Sequence, residues 1–285
     1  MQYHLNQISA MSYIQKLGII VVAGDNIKLI NLQKEKVQQE IKTEKFLRIF
    51  QLVYNEQDNN LYQFNQNKTI FRYRLKGRMF ILDKQFKLQY EFYPTLATVT
   101  HDNQTIIIAG MDTNLIVFYN MINDCQFMIE LPNPELQNYC LLYNNKNRCI
   151  LTQSCLINVE NKKVIRSINT IYQKIKGWSR CGHFYSKQDK QKIFITSSFK
   201  QKILRIISDD NFIPYQIFSE TGKYYCLQRS QNKIELYDIS TGISHFIIEK
   251  NLQNCTNLQF HENDQVFSAI VNDKSIYIWY MNQII

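Results

Sequence analysis

Basic and aromatic residues are concentrated in one segment of the chain, residues 160–205. This segment holds twelve Lys and Arg against two acids, whereas the whole chain of 285 residues carries 33 basic and 24 acidic residues, a formal net charge of +9. Cations interleaved with aromatic rings can hold phosphates and stack nucleobases, or attract an acidic peptide or an anionic membrane. The same residues also fit a solvated face whose Lys side chains keep strand edges from aggregating. The sequence leaves both interpretations open.

The candidate partner-binding residues are eight members of this segment, which we expect to form one basic face. They are Arg166, Lys174, Lys176, Trp178, Arg180, Lys200, Lys202 and Arg205. Trp178 stands among cations and outside any clear strand, so it is either an aromatic anchor for a partner or an ordinary buried side chain between two sheets. A shorter basic cluster, Phe71–Arg78, could extend the same surface.

Sequence patterns that indicate an enzyme do not occur. There is no nucleophile elbow or phosphate-binding loop, and the stretch Gly18–Leu29 lacks the three glycines that a dinucleotide loop needs. His101 and His261 occupy the same relative position in two repeats, which favours a turn role because a catalytic base is needed only once. We therefore expect no catalytic residue, no metal site and no cofactor.

The cysteines and the N-terminal residues indicate the cellular compartment in which the protein is expected. The seven cysteines are odd in number and none is spaced C-x-x-C, which favours free thiols over disulfides or a zinc site. The first residues lack the basic and apolar stretches of a secretory signal. No apolar run approaches the roughly 18 residues of a membrane-spanning helix. We expect a protein of the cytoplasm or another intracellular compartment, with the cytoskeleton and the nucleus included.

The elements that must position these residues form a degenerate repeat of a strand, a polar turn and a second strand. Three copies are clear, at Ala97–Met121, Phe218–Thr241 and Leu258–Asn282. Apolar residues alternate after each turn, as a strand with one face in a core requires. The first apolar residue after the turn marks seven copies, at Ile27, Met79, Leu115, Ile157, Ile203, Ile234 and Ile276. Their mean interval is about 41 residues.

These units resemble the WD40 repeat family, whose repeats of about 40 to 45 residues end in a turn Asp, an alternating strand and a Trp-Asp pair. The pair is degenerate in this chain, where Tyr237-Asp238 and Trp279-Tyr280 take its place, and the Gly-His dipeptide that opens such a repeat is not in position. The resemblance implies an all-β fold: a single domain over residues 1–285 that forms a seven-bladed β-propeller. Six or eight blades fit the same period. Residues 3–8 would supply the outer strand that the last repeat lacks.

The resemblance also implies a function. Propellers of this family present loops and a rim to several partners at once, so we expect a non-catalytic protein-interaction scaffold, a subunit of a larger intracellular complex with other proteins as its partners. The alternative is an RNA- or ribonucleoprotein-associated propeller. It would bind nucleic acid or another acidic partner through the basic face at residues 160–205.

Overall fold

The chain folds almost entirely into short antiparallel strands. The computed structural model describes residues 2–4, 8–34, 36–44, 48–110, 113–132, 141–144, 148–152, 155–167, 174–179, 183–189, 192–198, 202–208, 216–219, 221–248, 252, 255–261, 264–272 and 274–285. Its strands form seven sheets of four strands each, joined by turns and by two 3-10 helices, Gln15–Leu17 and Met281–Gln283. The sheets are the blades of a seven-bladed β-propeller, which confirms the predicted fold class.

Residues 6–141 form one compact unit, which contains blades 1 to 3. Blade 1 comprises β2 (Ala10–Ile14), β3 (Ile19–Ala23), β4 (Ile27–Asn31) and β5 (Lys36–Ile41). Blade 2 comprises β6 (Ile49–Asn55), β7 (Asn60–Asn65), β8 (Thr69–Lys76) and β9 (Met79–Lys87). Blade 3 comprises β10 (Pro94–Val99), β11 (Thr105–Gly110), β12 (Leu115–Asn120) and β13 (Cys125–Glu130). Neighbouring blades of this unit share cores of aliphatic and aromatic side chains.

Residues 1–5 and 142–285 form the second compact unit, with blades 4 to 7. Blade 4 comprises β14 (Leu141–Asn144), β15 (Cys149–Thr152), β16 (Cys155–Asn158) and β17 (Lys163–Ser167). Blade 5 comprises β18 (Lys174–Trp178), β19 (Phe184–Asp189), β20 (Lys192–Ser197) and β21 (Ile203–Ser208). Blade 6 comprises β22 (Gln216–Phe218), β23 (Tyr224–Ser230), β24 (Lys233–Asp238) and β25 (Ser244–Ile248). Blade 7 comprises β26 (Cys255–His261), β27 (Val266–Val271), β28 (Ser275–Tyr280) and β1 (Gln2–His4).

The outer strand of blade 7 comes from the N-terminal end of the chain. Strand β1 pairs antiparallel with β28, with Tyr3 opposite Ile276. The sequence placed this strand at residues 3–8. In the structure it spans Gln2–His4, residues 5–7 lie outside the described part, and Ile8 precedes β2.

Each blade has an inner and an outer edge. The first strands of successive blades contact one another, as β18 does with β22 and β22 with β26, so they mark the inner edge. The fourth strands lie at the opposite edge of each sheet. In blade 4 the outer strand β17 is exposed along its whole length, whereas β15 is buried throughout. An outer strand therefore presents one row of backbone groups that no strand of its own sheet pairs.

The predicted repeat register is right in five blades and wrong in two. The markers that lie on the third strand of a blade are Ile27, Leu115, Ile157, Ile234 and Ile276. Met79 and Ile203 instead begin the fourth strands β9 and β21. The equivalent third-strand residues are Ile70 and Ile193, and with these two the intervals become 43, 45, 42, 36, 41 and 42 residues. The second and third hairpins of a blade share one pattern of turn and alternation, which explains the error.

Candidate docking surface

Three of the predicted partner-binding residues lie at the outer edges of blades 4 and 5. Arg166 is on β17 and is exposed. Arg205 is on β21, and the exposed Lys202 directly precedes that strand. Both strands are the fourth of their blade, so the structure brings these three cations to the rim.

Three other predicted residues, Lys174, Lys176 and Trp178, lie on β18, the inner strand of blade 5. Their side chains lie outside the described part of the chain, as do Arg180 and Lys200 altogether. Since β18 and β21 are the two edges of one four-stranded sheet, about 14 Å separates them at the usual strand spacing of about 4.8 Å. The basic segment therefore divides between an inner and an outer location.

One face of blade 5 lies beside blade 4. On this face Tyr185 is opposite Thr196, which is opposite Ile203 on the outer strand. Burial raises the pKa of the Tyr185 phenol, and the positive charge of Arg166 opposes that rise. Arg166 must be near Tyr185 to act in this way. The outer strand of blade 4 and this face of blade 5 are therefore neighbours.

A second cross-strand row runs along the same face. Lys187 is opposite Phe194, which is opposite Ile206. Burial lowers the pKa of the Lys187 ammonium, whose nitrogen stands 5.3 Å from the centre of the Tyr185 ring. Within the described ranges no carboxylate forms an ion pair with Lys187. A carboxylate brought by a partner would favour its charged form.

The outer ends of these rows are exposed. Ile203 and Ile206 keep 49% and 56% of their surface, although each is a large apolar side chain. We call the surface formed by β17, β21 and the residue before β21 the rim patch. The apolar side chains that the two strands expose are Val164, Ile165, Ile203, Leu204 and Ile206, and their cations, together with Lys202, are Lys163, Arg166 and Arg205, of which Arg205 is turned toward blade 6. Single exposed apolar residues are ordinary, but Ile203 and Ile206 share one face of β21, and neighbouring exposed apolar side chains are typical of interaction sites.

The other face of β21 is anchored to blade 6. Ile207 is buried and packs in one core with Ile193 and Phe218. The Arg205 guanidinium donates hydrogen bonds to the Ser240 carbonyl at 2.8 Å and to the Leu204 carbonyl at 3.1 Å. One side of the strand is thus fixed by packing, whereas Ile203 and Ile206 on its other side are exposed.

The partner-binding residues predicted from the sequence include none of the apolar residues of the rim patch. The repeat pattern instead makes Ile203 the first apolar residue of an alternating strand with one face in a core, here Ile203–Ile207. A signal was nevertheless present, because four of these five residues are apolar and so cannot all face one core. Their position directly after the basic residues Lys200 and Lys202 is the second signal.

The histidines singled out in the sequence have structural contacts. His261 ends β26, and its Nε2 lies 2.7 Å from the Ser268 hydroxyl, with both side chains buried. His101 lies in the turn after β10, and its carbonyl accepts a hydrogen bond of 3.3 Å from the Asn55 amide.

The remaining chemistry of the described residues is limited. Their five cysteines are free thiols, as predicted for those positions. No group of three or more His, Cys, Asp or Glu side chains in the described ranges is arranged to hold a metal ion. None of the helices described is long and apolar enough to cross a membrane.

Comparison with known proteins adds no family assignment. No protein-family model matches the chain, and no curated protein matches it significantly.

Proposed function

We propose that this protein is a non-catalytic interaction scaffold that holds other proteins in an intracellular complex. The observation that carries the proposal is the rim patch: the outer strands β17 and β21 expose five large apolar side chains, and two of these, Ile203 and Ile206, share the face of blade 5 on which Arg166 acts. Apolar side chains in such a group lower solubility unless a partner covers them. A cation at the border of an apolar patch adds selectivity for an acidic partner.

The repeat pattern supports the same proposal. Third strands recur at intervals of 36 to 45 residues along the chain, close to the period of WD40 repeats. We propose that the chain is a degenerate WD40 propeller, in which Tyr237-Asp238 and Trp279-Tyr280 replace two of the Trp-Asp pairs. A rigid fold of this kind can act as a scaffold because it holds several binding surfaces at fixed positions.

The alternative of RNA binding through residues 160–205 has less support. The nominated cations divide between the inner and the outer edge of blade 5. None of the nine residues of the rim patch is aromatic, whereas single-stranded nucleic acids are bound by stacking their bases on aromatic rings.

The test is to purify the tagged protein from its own cells at low salt, with and without nuclease, and to identify its companions by mass spectrometry. We expect a fixed set of proteins that survives nuclease and is lost when Ile203→Lys and Ile206→Lys are combined. The matched control is Ile81→Lys with Leu82→Lys, which changes two exposed apolar residues of the outer strand of blade 2. Companions that disappear with nuclease would establish the RNA alternative instead.

A further inference from the structure

Two side chains of β19, the second strand of blade 5, face blade 4. Ile193 packs in one core with Phe218 of blade 6 and is opposite Gln188 on β19. That face of the sheet is therefore turned toward blade 6. Because side chains alternate along a strand, Tyr185 and Lys187 point to the other face, which lies beside the outer strand β17 of blade 4. We call the space between β17 and this face of β19 the cleft.

The hydroxyl group of Tyr185 has no hydrogen-bond partner among the described residues. The residue is nevertheless only 6% exposed, and a polar group on a side chain buried to this extent normally has a partner. Burial raises the pKa of the phenol, so the group keeps its proton at neutral pH. The cleft therefore contains a hydroxyl that can donate a hydrogen bond to a ligand.

Two cations stand beside this hydroxyl. The Lys187 Nζ lies 5.3 Å from the centre of the Tyr185 ring. Arg166 reaches the same phenol from β17, since its positive charge acts on the Tyr185 pKa. Neither cation has an ion pair or a side-chain hydrogen bond with a described residue. Asp189 shares the face of Lys187, two residues further along β19, but does not approach either cation to ion-pair distance.

The position of Lys187 distinguishes this cleft from the exposed cations elsewhere on the rim. Lys76, Arg78 and Lys87 of blade 2 are exposed, so water solvates their charges. Lys187 is half-buried, and burial lowers the pKa of its ammonium. A charge that is partly removed from water needs a counter-charge or hydrogen-bond acceptors in its place. The described side chains of the cleft supply neither.

The three groups determine the chemical class of the ligand. A guanidinium, an ammonium and a protonated phenol offer hydrogen-bond donors and together carry two positive charges. A phosphate monoester has three acceptor oxygens and a charge of about −1.5 to −2 at neutral pH. It also matches the forked geometry of an Arg side chain. A carboxylate has two oxygens and one negative charge, which would leave one cation of the cleft uncompensated.

We infer that the cleft between β17 and β19 binds a phosphate group, held by the Arg166 guanidinium, the Lys187 ammonium and the Tyr185 hydroxyl. The inference goes beyond the scaffold function and does not depend on it. The phosphate is either a free ion, alone or on a small molecule, or the phosphorylated side chain of a partner protein. Both sources offer the same group to the cleft.

The first test titrates the full chain by isothermal calorimetry at low salt. The probes are inorganic phosphate, N-acetyl-O-phosphoserine amide and, as the carboxylate control, N-acetylglutamic acid amide. We expect a phosphate probe to bind about tenfold more tightly than the carboxylate control, and its binding to weaken as salt is raised. No binding of either phosphate probe at about 10 mM, or equally tight binding of the carboxylate control, would overturn the inference.

The second test locates the binding in the cleft. Lys187→Met combined with Tyr185→Phe should weaken phosphate binding about tenfold or more, because it removes one charge and one donor. The matched control is Lys223→Met with Tyr224→Phe on blade 6, where the Lys223 Nζ likewise lies 4.8 Å from the centre of a Tyr ring. This control should leave binding unchanged. Equal losses in the two double variants would place the phosphate elsewhere and overturn the inference.

Tyr185→Phe alone keeps the ring and its packing and removes only the hydroxyl, so it tests the cleft even if the double variant does not fold. We expect phosphate binding to weaken about threefold, with the far-UV circular dichroism of the wild type. Unchanged affinity would exclude the Tyr185 hydroxyl from the site and contradict the inference as stated.

The two phosphate probes distinguish the source. Binding of the phosphoserine amide that is at least about tenfold tighter than that of inorganic phosphate would indicate a phosphorylated side chain of a partner protein. Equal or tighter binding of inorganic phosphate would indicate a free phosphate or a small phosphorylated molecule. Either result supports a phosphate site in the cleft.

Discussion

Two outer strands, β9 of blade 2 and β21 of blade 5, both expose large apolar side chains. On β9 these are Met79, Ile81 and Leu82, and on β21 they are Ile203, Leu204 and Ile206. Exposed apolar surface alone therefore does not distinguish the two strands, and their charges must be compared.

Asp83 of β9 is paired with cations of its own blade, whereas the exposed Lys76, Arg78 and Lys87 on and beside β9 have no ion pair among the described residues. The Asp83 carboxylate forms an ion pair with Arg72 of the neighbouring strand, with an Nη2 to Oδ2 distance of 2.5 Å. It also lies 3.5 Å from the Arg74 guanidinium. The described side chains offer no such partner on β21, where Arg205 binds only carbonyl groups. Both strands thus have exposed apolar side chains with cations beside them that are unpaired among the described residues, and they differ in that only β9 contains an acid that pairs with cations of its own sheet.

The largest expected effect separates the two faces of β21. Ile207→Ala should lower the free energy of unfolding by about 2–5 kcal/mol, because it leaves a cavity in the core between blades 5 and 6. Ile206→Ala, one residue away and exposed, should change it by about 0.5 kcal/mol or less. Urea denaturation of the two variants and the wild type measures both values. Equal losses would mean that Ile206 is also packed, and β21 would then have no free apolar face.

An intermediate effect is expected from the ion pair that only β9 has. Asp83→Ala should lower the free energy of unfolding by about 1–2 kcal/mol, since it leaves the Arg72 guanidinium, only 19% exposed, without its carboxylate. Lys202→Ala should have no measurable effect, because this exposed side chain has no ion-pair partner among the described residues. Thermal denaturation at low and high salt tests the pair, and only the Asp83 variant should lose its salt dependence. If Lys202→Ala were equally destabilising, the cations of the rim patch would already have partners within the chain.

The sequence could predict the propeller but not the rim patch. Alternation and turns are local signals, so the third strands that contain Ile27, Leu115, Ile234 and Ile276 were identified correctly. The exposure of Ile203 depends instead on its strand being the fourth of its blade. The predicted register placed Ile203 on a third strand, where an alternating Ile would be buried. The distribution of charge was visible in the sequence, but its division between β18 and β21 depends on the order of the strands in the sheet.

The smallest expected effect is that of changing Asp58, another carboxylate of blade 2. Its Oδ1 accepts a hydrogen bond of 3.2 Å from the Asn60 backbone amide. Burial nevertheless raises the pKa of this carboxyl above its ordinary value, although hydrogen bonds and the charge of Arg72 act in the opposite direction. A carboxyl whose folded pKa is raised contributes stability below its unfolded pKa of about 3.9 and loses that contribution as the pH rises through the folded pKa.

Asp58→Asn should therefore gain stability relative to the wild type between pH 4 and pH 7, because the variant has no carboxyl to ionise at this position. Urea denaturation at the two pH values measures the difference, with Glu56→Gln as the control for removing one exposed carboxylate from the same turn. A wild type and an Asn variant with the same change in stability between the two pH values would contradict the prediction. The Asp58 carboxylate would then be as well solvated in the folded protein as an exposed carboxylate, and Asp83 would be the one carboxylate of blade 2 described here whose surroundings matter for stability.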